Sequence, residues 1–305
     1  MERMPDYSLR GEFYNPASVF DAPCSACTWS YARQEDCYYH SNVKLTHANE
    51  DRGVWSVGSQ LIIKERDHRP PQYEAGNLRF LKEHTNLPVP TCMKDWTENL
   101  SHFIVSERLP GVTLDIVWPQ LSPDARRRIA KQTADYLVGL RKLHSPRIQS
   151  LTGEPVWSTF LFPGRGQDKP HGPFSNDQEL WAEFDKGLAD VNVPKEARQH
   201  LQRMMPAATP YTFTHGELRN VNILVDNGNL TGIISWEKAG YFPVWWEYAS
   251  ASVSIRQEDK EWKNLLREYM PEFKEAKEFW WDFFALSRYP NLQERGQAFF
   301  RKMKA

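Results

Sequence analysis

The sequence has little that would bind a structural metal ion. Only 4 cysteines occur among its 305 residues. Cys24 and Cys27 form a single Cys-x-x-Cys motif with Cys37 downstream, and no second pair of this kind follows. Because a zinc site needs four well-placed ligands, we expect free, reduced cysteines. A zinc site that these three cysteines form together with His40 or His47, which lie downstream, is the alternative.

Long apolar runs and an excess of charge of either sign are also absent. The longest apolar stretches, such as 61–63, are far too short to span a membrane. Residues 1–13 lack the apolar segment of a secretory signal, so we expect a cytoplasmic protein. The formal net charge is −1, which gives no general attraction to nucleic acid, so nucleic acid is not an expected partner.

Aromatic residues, by contrast, are abundant: 12 Trp, 12 Tyr and 16 Phe. Several tryptophans are adjacent in sequence, as at 245–246 and 280–281. Large aromatic side chains usually serve the core, because each buries much apolar area. Core packing is therefore the expected role, and an aromatic-lined pocket for an apolar ligand is the alternative.

The pattern along the chain predicts three segments. Residues 1–50 show no clear period and are interpreted as an N-terminal extension packed on the body. Residues 51–110 are rich in short strand-like runs, including a hairpin over 53–64 with a Gly-Ser turn. Residues 111–305 are mostly helical in pattern.

Within the third segment, several local signals are specific. Ser122, followed by Pro123 and an acid, is typical of a helix start. Residues 145–178 are rich in Gly and Pro and predict a long loop, and 180–205 are helical in pattern. Asn227-Gly228 between two apolar runs predicts a tight hairpin.

Three stretches in a fixed order carry a family resemblance. The first is 60–64 (QLIIK) with Glu74 ten residues after its lysine, and the second is 103–114 (FIVSERLPGVTL). The third is 214–225 (THGELRNVNILV) followed by 232–237 (GIISWE). These stretches resemble the aminoglycoside-phosphotransferase and choline-kinase-like superfamily. Two further stretches, 239–243 (AGYFP) and 246–248 (WEY), resemble its fungal branch.

The resemblance implies an α+β, two-lobed protein-kinase-like fold, with a small β-rich N-lobe and a larger, mostly helical C-lobe. It also implies ATP and Mg²⁺ in the cleft, where catalysis depends on positioning and charge neutralisation. By resemblance, Lys64 holds phosphates, Glu74 pairs with Lys64, Asn222 is a Mg²⁺ ligand and His215 braces the catalytic loop.

Two positions depart from the family pattern in ways that weaken this chemistry. The family's catalytic Asp is Glu217 here, whose carboxylate lies one methylene further out. The family's metal-binding Asp is Ser235, a neutral hydroxyl in place of a hard anionic ligand. If the strand continued, Glu237 would face the same side as Ser235 and could replace the lost ligand. Residues 49–53 correspond, by resemblance, to the hairpin that covers the phosphates. This turn contains two acidic residues, Glu50 and Asp51, whereas a phosphate-binding turn favours small residues.

These departures favour a kinase-like fold that has been repurposed. We expect an enzyme that needs neither ATP nor metal and binds a small, largely apolar intermediate in the former cleft. It would promote a cyclisation or isomerisation, including a pericyclic step of the Diels–Alder type, and the resemblance implies fungal secondary metabolism. The candidate catalytic residues are Glu217, Lys64, Ser235 and Asn222. Candidate residues for pocket lining or support are Glu74, His215, Arg219, Trp236 and Glu237.

Two alternatives remain open at this point. One is a weakened ATP-dependent small-molecule phosphotransferase, in which Glu217 is the base and Asn222 and Glu237 hold Mg²⁺. The other is a non-catalytic pseudokinase that acts as a binding module.

Overall fold

The computed structural model describes residues 43–49, 52–163, 169–254 and 256–304. The cysteine motif at 24–37 therefore lies outside the described residues, as do the acids at 50–51. Cys92 is a free thiol. Among the described residues, no helix is long and apolar enough to cross a membrane.

The N-lobe is an antiparallel five-stranded sheet with the order β1-β2-β3-β5-β4. Its elements are β1 (Val43–Asn49), β2 (Arg52–Val57), β3 (Leu61–Asp67), β4 (Cys92–Glu98), β5 (Ser101–Glu107) and helix α1 (Glu74–His84). The predicted hairpin is present as β2 and β3, with Val57 opposite Leu61. Gly58 lies in the connecting turn with φ +59, which glycine adopts without steric cost.

One segment differs from the sequence prediction. Residues 43–49, which we had assigned to the N-terminal extension, form β1 and pair antiparallel with β2. Apolar and polar residues alternate only over Val43–Thr46, and the pairing with β2 is irregular between Leu45 and His47, so the local pattern is too short to specify the strand without the edge of β2. The division of the chain into three segments otherwise stays a prediction.

The C-lobe contains eight further helices and three small sheets among the described residues. The helices are α2 (Leu114–Val117), α3 (Pro123–Leu140), α4 (Asp177–Asp190), α5 (Lys195–Arg203), α6 (Trp246–Ser250), α7 (Gln257–Glu268), α8 (Lys274–Leu286) and α9 (Glu294–Lys304). The strands are β6 (Val112–Thr113), β7 (His144–Ser145), β8 (Val156–Trp157), β9 (Pro170–His171), β10 (Tyr211–Thr214), β11 (Ile223–Asp226), β12 (Asn229–Ile233) and β13 (Gly240–Pro243). The sheet orders are β13-β10-β7, β12-β11-β6 and β8-β9.

The structure confirms the predicted helix cap and hairpin turn of this lobe and divides one predicted helix into two. Ser122 caps α3, since its side chain accepts a hydrogen bond from the Ala125 N–H. Asn227 and Gly228 join β11 to β12 with φ values of 48° and 70°, as a two-residue primed turn requires. The helical stretch predicted over 180–205 is two helices, because α4 ends at Asp190 and Pro194 precedes the next helix.

The aromatic residues mainly form the core. Trp118, Trp236, Trp245, Trp246, Trp262 and Trp280 are almost completely buried. The Trp246 ring packs edge-on against Trp280, with 5.6 Å between centroids. The core-packing interpretation of the tryptophan pairs thus holds at 245–246 and Trp280, while Trp281 is partly exposed.

Candidate functional site

A buried ion pair links the N-lobe sheet to its helix. Lys64 on β3 donates from Nζ to Oε1 of Glu74 on α1 at 2.5 Å. The Glu74 side chain is 3% exposed and that of Lys64 is 15% exposed. The structure therefore brings together the two residues that the family resemblance implied as a pair.

Arg66 extends this pair into a network between the lobes. It lies two residues after Lys64 on β3 and therefore on the same face of the strand. Its Nη2 lies 3.2 Å from Oε2 of Glu74, and its Nη1 lies 3.1 Å from Oε1 of Glu237 in the C-lobe. Arg52 on β2 also contacts Glu237, at 3.7 Å. We had not selected Arg66 or Arg52 from the sequence, although the two-residue spacing from Lys64 was a usable signal for Arg66.

Glu237 is an ionised carboxylate committed to these arginines. Burial alone would raise its pKa, but the positive charges of Arg66 and Lys64 outweigh burial and hold the pKa well below the usual range. Its Oε2 is buried and has no hydrogen-bond partner in the described part of the chain. Glu237 therefore balances internal cations.

The backbone around Ser235 corrects one sequence argument. Strand β12 ends at Ile233, and Ser235 has φ 67° and ψ 57°, in the left-handed region. Residues Trp236–Lys238 then form a 3₁₀ turn. The expectation that Ser235 and Glu237 share one face of a strand is therefore wrong, because no strand connects them. Trp236 is fully buried, donates from Nε1 to the Ile233 carbonyl at 2.8 Å and supports this turn from within the core.

His215 braces the loop that carries Glu217. Its Nε2 donates to the Ile234 carbonyl at 2.9 Å, and its Nδ1 accepts from the Glu217 N–H at 3.3 Å. Burial lowers the pKa of His215 to about 4, so the ring is neutral at physiological pH. The backbone N–H of His215 donates to Oε2 of Glu247 at 3.0 Å. Glu247 is not among the candidate residues predicted from the sequence, and it anchors the same loop.

Gly216 is the residue at which this loop packs directly against the backbone of the 3₁₀ turn. Its φ is +84°, and a Cβ built there would lie 2.3 Å from the Lys238 carbonyl oxygen. Any larger residue would force the loop away from the 3₁₀ turn. The loop and the turn are therefore held together at Gly216, which fixes the position of Glu217.

Glu217 lies in a recess where it can exchange a proton. Burial raises the pKa of its carboxyl, and the negative charge of Glu237 raises it further. Arg219 opposes these effects, with its Nη1 3.7 Å from Oε1 of Glu217. The side chain is still 31% exposed, so a bound molecule can reach the carboxyl. Asn222 donates from Nδ2 to the Glu217 carbonyl at 3.0 Å and so steadies the loop.

The recess continues towards helix α7. It is lined by Phe160, Gly216, Glu217, Leu218, Arg219, Ser250, Val253 and Lys263. Lys263 is held by Asp259 at 3.0 Å and by the Val253 carbonyl at 2.7 Å. The other oxygen of Asp259 accepts from the Asn220 N–H at 3.0 Å. Asn220 is therefore a buried anchor of the loop, whereas Arg219 borders the recess.

These residues do not fit a Mg²⁺-nucleotide complex well. Mg²⁺ favours anionic oxygen ligands, and Ser235 supplies only a neutral hydroxyl. Glu237, the nearest carboxylate in the sequence, already lies within 4 Å of two arginines that would repel the metal. Asn222 donates from its amide nitrogen to the Glu217 carbonyl, and this hydrogen bond does not occupy the amide oxygen, which is the atom that would bind Mg²⁺. Lys64 and Glu74 retain the paired arrangement that the family resemblance implies for phosphate binding.

Comparison with known proteins agrees with this architecture. The sequence profile of the phosphotransferase enzyme family matches residues 60–281. Among solved structures, the aminoglycoside phosphotransferase APH(4)-Ia has a TM-score of 0.56 and 14% identity, covering 86% of this chain and 90% of that chain. The streptomycin-ATP-APH(2")-IIa ternary complex has a TM-score of 0.52 and 12% identity, covering 90% and 94%. A comparison with curated protein sequences gave no significant match.

Proposed function

Because the chain belongs to the phosphotransferase enzyme family, we propose that it is an enzyme that has kept the family's two-lobed fold and lost its dependence on ATP and metal. Its substrate is a small, largely apolar molecule held in the former cleft. The reaction is a cyclisation or isomerisation, including pericyclic steps of the Diels–Alder type. The setting that fits is a biosynthetic pathway of fungal secondary metabolism.

The proposal rests on the side chains at the position where the family would bind its metal ions. Ser235 stands where the family pattern has an aspartate, and Glu237 is paired with Arg52 and Arg66. The two arginines place fixed positive charge close to where phosphoryl transfer would need metal ions. Fixed cations need no reorganisation and can stabilise negative charge that develops in a transition state.

The remaining polar groups suit proton-assisted rearrangement. The raised pKa of Glu217 makes it a better proton donor at neutral pH than an ordinary glutamate. Lys64, held by Glu74, is a positioned hydrogen-bond donor for a carbonyl or enolate oxygen. A cleft that holds a flexible substrate in a reactive shape supplies the rest of the acceleration.

A weakened phosphotransferase is the second candidate, and one observation favours it. Lys64 and Glu74 form the intact pair that the family resemblance links to phosphate binding. Structures of family relatives were determined with AMP-PNP and hygromycin B, and with streptomycin and ATP. This candidate requires Mg²⁺ to bind in spite of the arginines beside Glu237.

Calorimetric titration of ATP, with and without Mg²⁺, separates the two candidates. We expect the unmodified protein to show no Mg²⁺-dependent affinity. Ser235→Asp restores an anionic ligand and should gain Mg²⁺-dependent binding, whereas Ser235→Asn, the matched neutral control, should not. Tight Mg²⁺-dependent binding by the unmodified protein would reject the metal-independent proposal and support the phosphotransferase.

A further inference from the structure

The recess of Glu217 has room for one small group. It has a volume of about 20 Å³, and a water-sized group needs about 10–15 Å³. Its apolar lining comes from Phe160, Leu218 and Val253. The side chain of Glu217, which also lines the recess, is 31% exposed, so a bound molecule can approach from solvent. A single oxygen atom therefore fits, whereas a phosphate group with its four oxygens is too large.

Arg219 presents an unsatisfied guanidinium at this recess. Its side chain is only 20% exposed, and its one ion-pair contact within the described part of the chain is the 3.7 Å approach of Nη1 to Oε1 of Glu217. That distance is too long for a hydrogen bond. Its Nε is buried and also has no acceptor among the described residues. A largely buried guanidinium without acceptors is costly, so the recess favours an anionic oxygen beside Arg219.

Lys263 adds a second cation from helix α7. Its Nζ donates to the Val253 carbonyl at 2.7 Å and forms an ion pair with Oδ2 of Asp259 at 3.0 Å. An ammonium group has three N–H donors, so at least one remains without an acceptor in the described residues. The Lys263 side chain is 6% exposed, and solvent therefore reaches that donor poorly.

The charges around the recess are not balanced. Burial lowers the pKa of Lys263, Asp259 raises it, and the positive charge of Arg219 lowers it further. The two cations thus act on each other, and an anion beside them would offset their repulsion. Burial and the charge of Glu237 raise the pKa of Glu217. The protonated Glu217 carboxyl can then donate a hydrogen bond to the same anion.

We propose that this recess is a binding site for the single anionic oxygen of an enolate or phenolate, held by hydrogen bonds from Arg219 and Lys263. The substrate class is accordingly an enolisable carbonyl compound or a phenol. Fixed donors around such an oxygen stabilise its negative charge without reorganisation. The inference rests on the proposed function for its chemical meaning, but binding itself is measured without turnover.

A matched pair of probes tests the charge preference. The probes 4-nitrophenolate and 4-nitroaniline share one flat body, and only the phenolate has an anionic oxygen. At a pH at which the phenol is ionised, calorimetry should show that the unmodified protein binds the phenolate about tenfold or more tightly than the aniline. Arg219→Gln should abolish the preference. Arg301→Gln, the same change at an exposed position of α9 outside the recess, should keep it.

The double variant Asp259→Asn/Lys263→Gln tests the second cation without leaving one buried charge unpaired. The asparagine oxygen can still accept from the Asn220 N–H, as Asp259 does. The phenolate preference should fall by about threefold or more, because one charged donor is lost. An unchanged preference would overturn the two-cation site.

The unmodified protein provides a second readout that does not depend on any variant folding. At a pH equal to the pKa of free 4-nitrophenol, half of the probe is ionised. Added protein should raise the visible absorbance of the phenolate, because the recess binds the anion in preference to the phenol. Equal affinity for the two probes, a preference for the aniline, an unchanged or lower phenolate absorbance, or a preference that survives Arg219→Gln would overturn the proposal. Mg²⁺-dependent ATP binding would reject the proposed function without changing these results.

Discussion

Ser235 occupies a backbone conformation that suits other residues better. Its φ of 67° places it in the left-handed region, which asparagine and aspartate adopt more readily than serine. The local chain path is therefore compatible with the aspartate that the family resemblance implies at this position. This is why Ser235→Asp and Ser235→Asn make a matched pair, since both should fit the backbone and differ in charge alone.

The buried carboxyl of Glu247 makes the free energy of unfolding depend on pH. Burial raises the pKa of its carboxyl to about 7, while the hydrogen bond from the His215 N–H and the charge of Arg141 act in the opposite direction. In the folded state the carboxyl therefore keeps its proton up to about pH 7. In the unfolded state it loses that proton near the usual glutamate pKa of 4.5. Between that value and about pH 7, the contribution of Glu247 to the free energy of unfolding is lost as pH rises.

We therefore predict that Glu247→Gln flattens this part of the pH profile. A glutamine oxygen can still accept from the His215 N–H, so the loop anchor is kept while the ionisation is removed. Urea unfolding at a series of pH values would show the difference between the two proteins growing as pH rises from about 4.5 to about 7. A constant difference across that range would show that Glu247 does not titrate there.

Strand β3 carries the central residue of the ion-pair network in the candidate site. Arg66 lies between Glu74 and Glu237, and all three side chains are less than one fifth exposed. Replacing Arg66 by Met leaves two poorly compensated buried carboxylates, so the free energy of unfolding should fall by about 3 kcal/mol. Chemical denaturation measures the loss.

Arg69 provides the control for this prediction. It also pairs with an acid of the N-lobe, Asp67, at 2.9 Å, but its side chain is 72% exposed. Arg69→Met should therefore change stability by less than about 1 kcal/mol. If the two variants lost equal stability, the Arg66 network would be no more than a surface ion pair.

The elements show why some features could be predicted from sequence and others could not. Local signals placed the α3 start and the β11–β12 turn, because cap and turn chemistry depends on adjacent residues. The pairing of Lys64 with Glu74 came from the family resemblance. By contrast, the contact of Arg66 with Glu237 joins residues far apart in sequence, and only the packed lobes bring them together. Strand β1 likewise depends on its pairing with β2.

At the scale of the whole molecule, one buried asparagine ties the two lobes together. Asn77 on α1 is fully buried, and its Nδ2 donates to the Trp236 carbonyl at 2.8 Å and approaches the Ala239 carbonyl at 3.3 Å. Both carbonyls belong to the C-lobe segment that also carries Glu237. The orientation of the N-lobe therefore depends on the same turn that shapes the candidate site.

Asn77→Ala should uncouple the lobes, because it removes a buried donor from two carbonyls and leaves space beside them. We expect differential scanning calorimetry to show one transition for the unmodified protein and an earlier, separate N-lobe transition for the variant. Asn86→Ala, at an exposed position after α1, is the control and should melt like the unmodified protein. A single transition shifted as a whole would mean that Asn77 stabilises the fold without coupling the lobes.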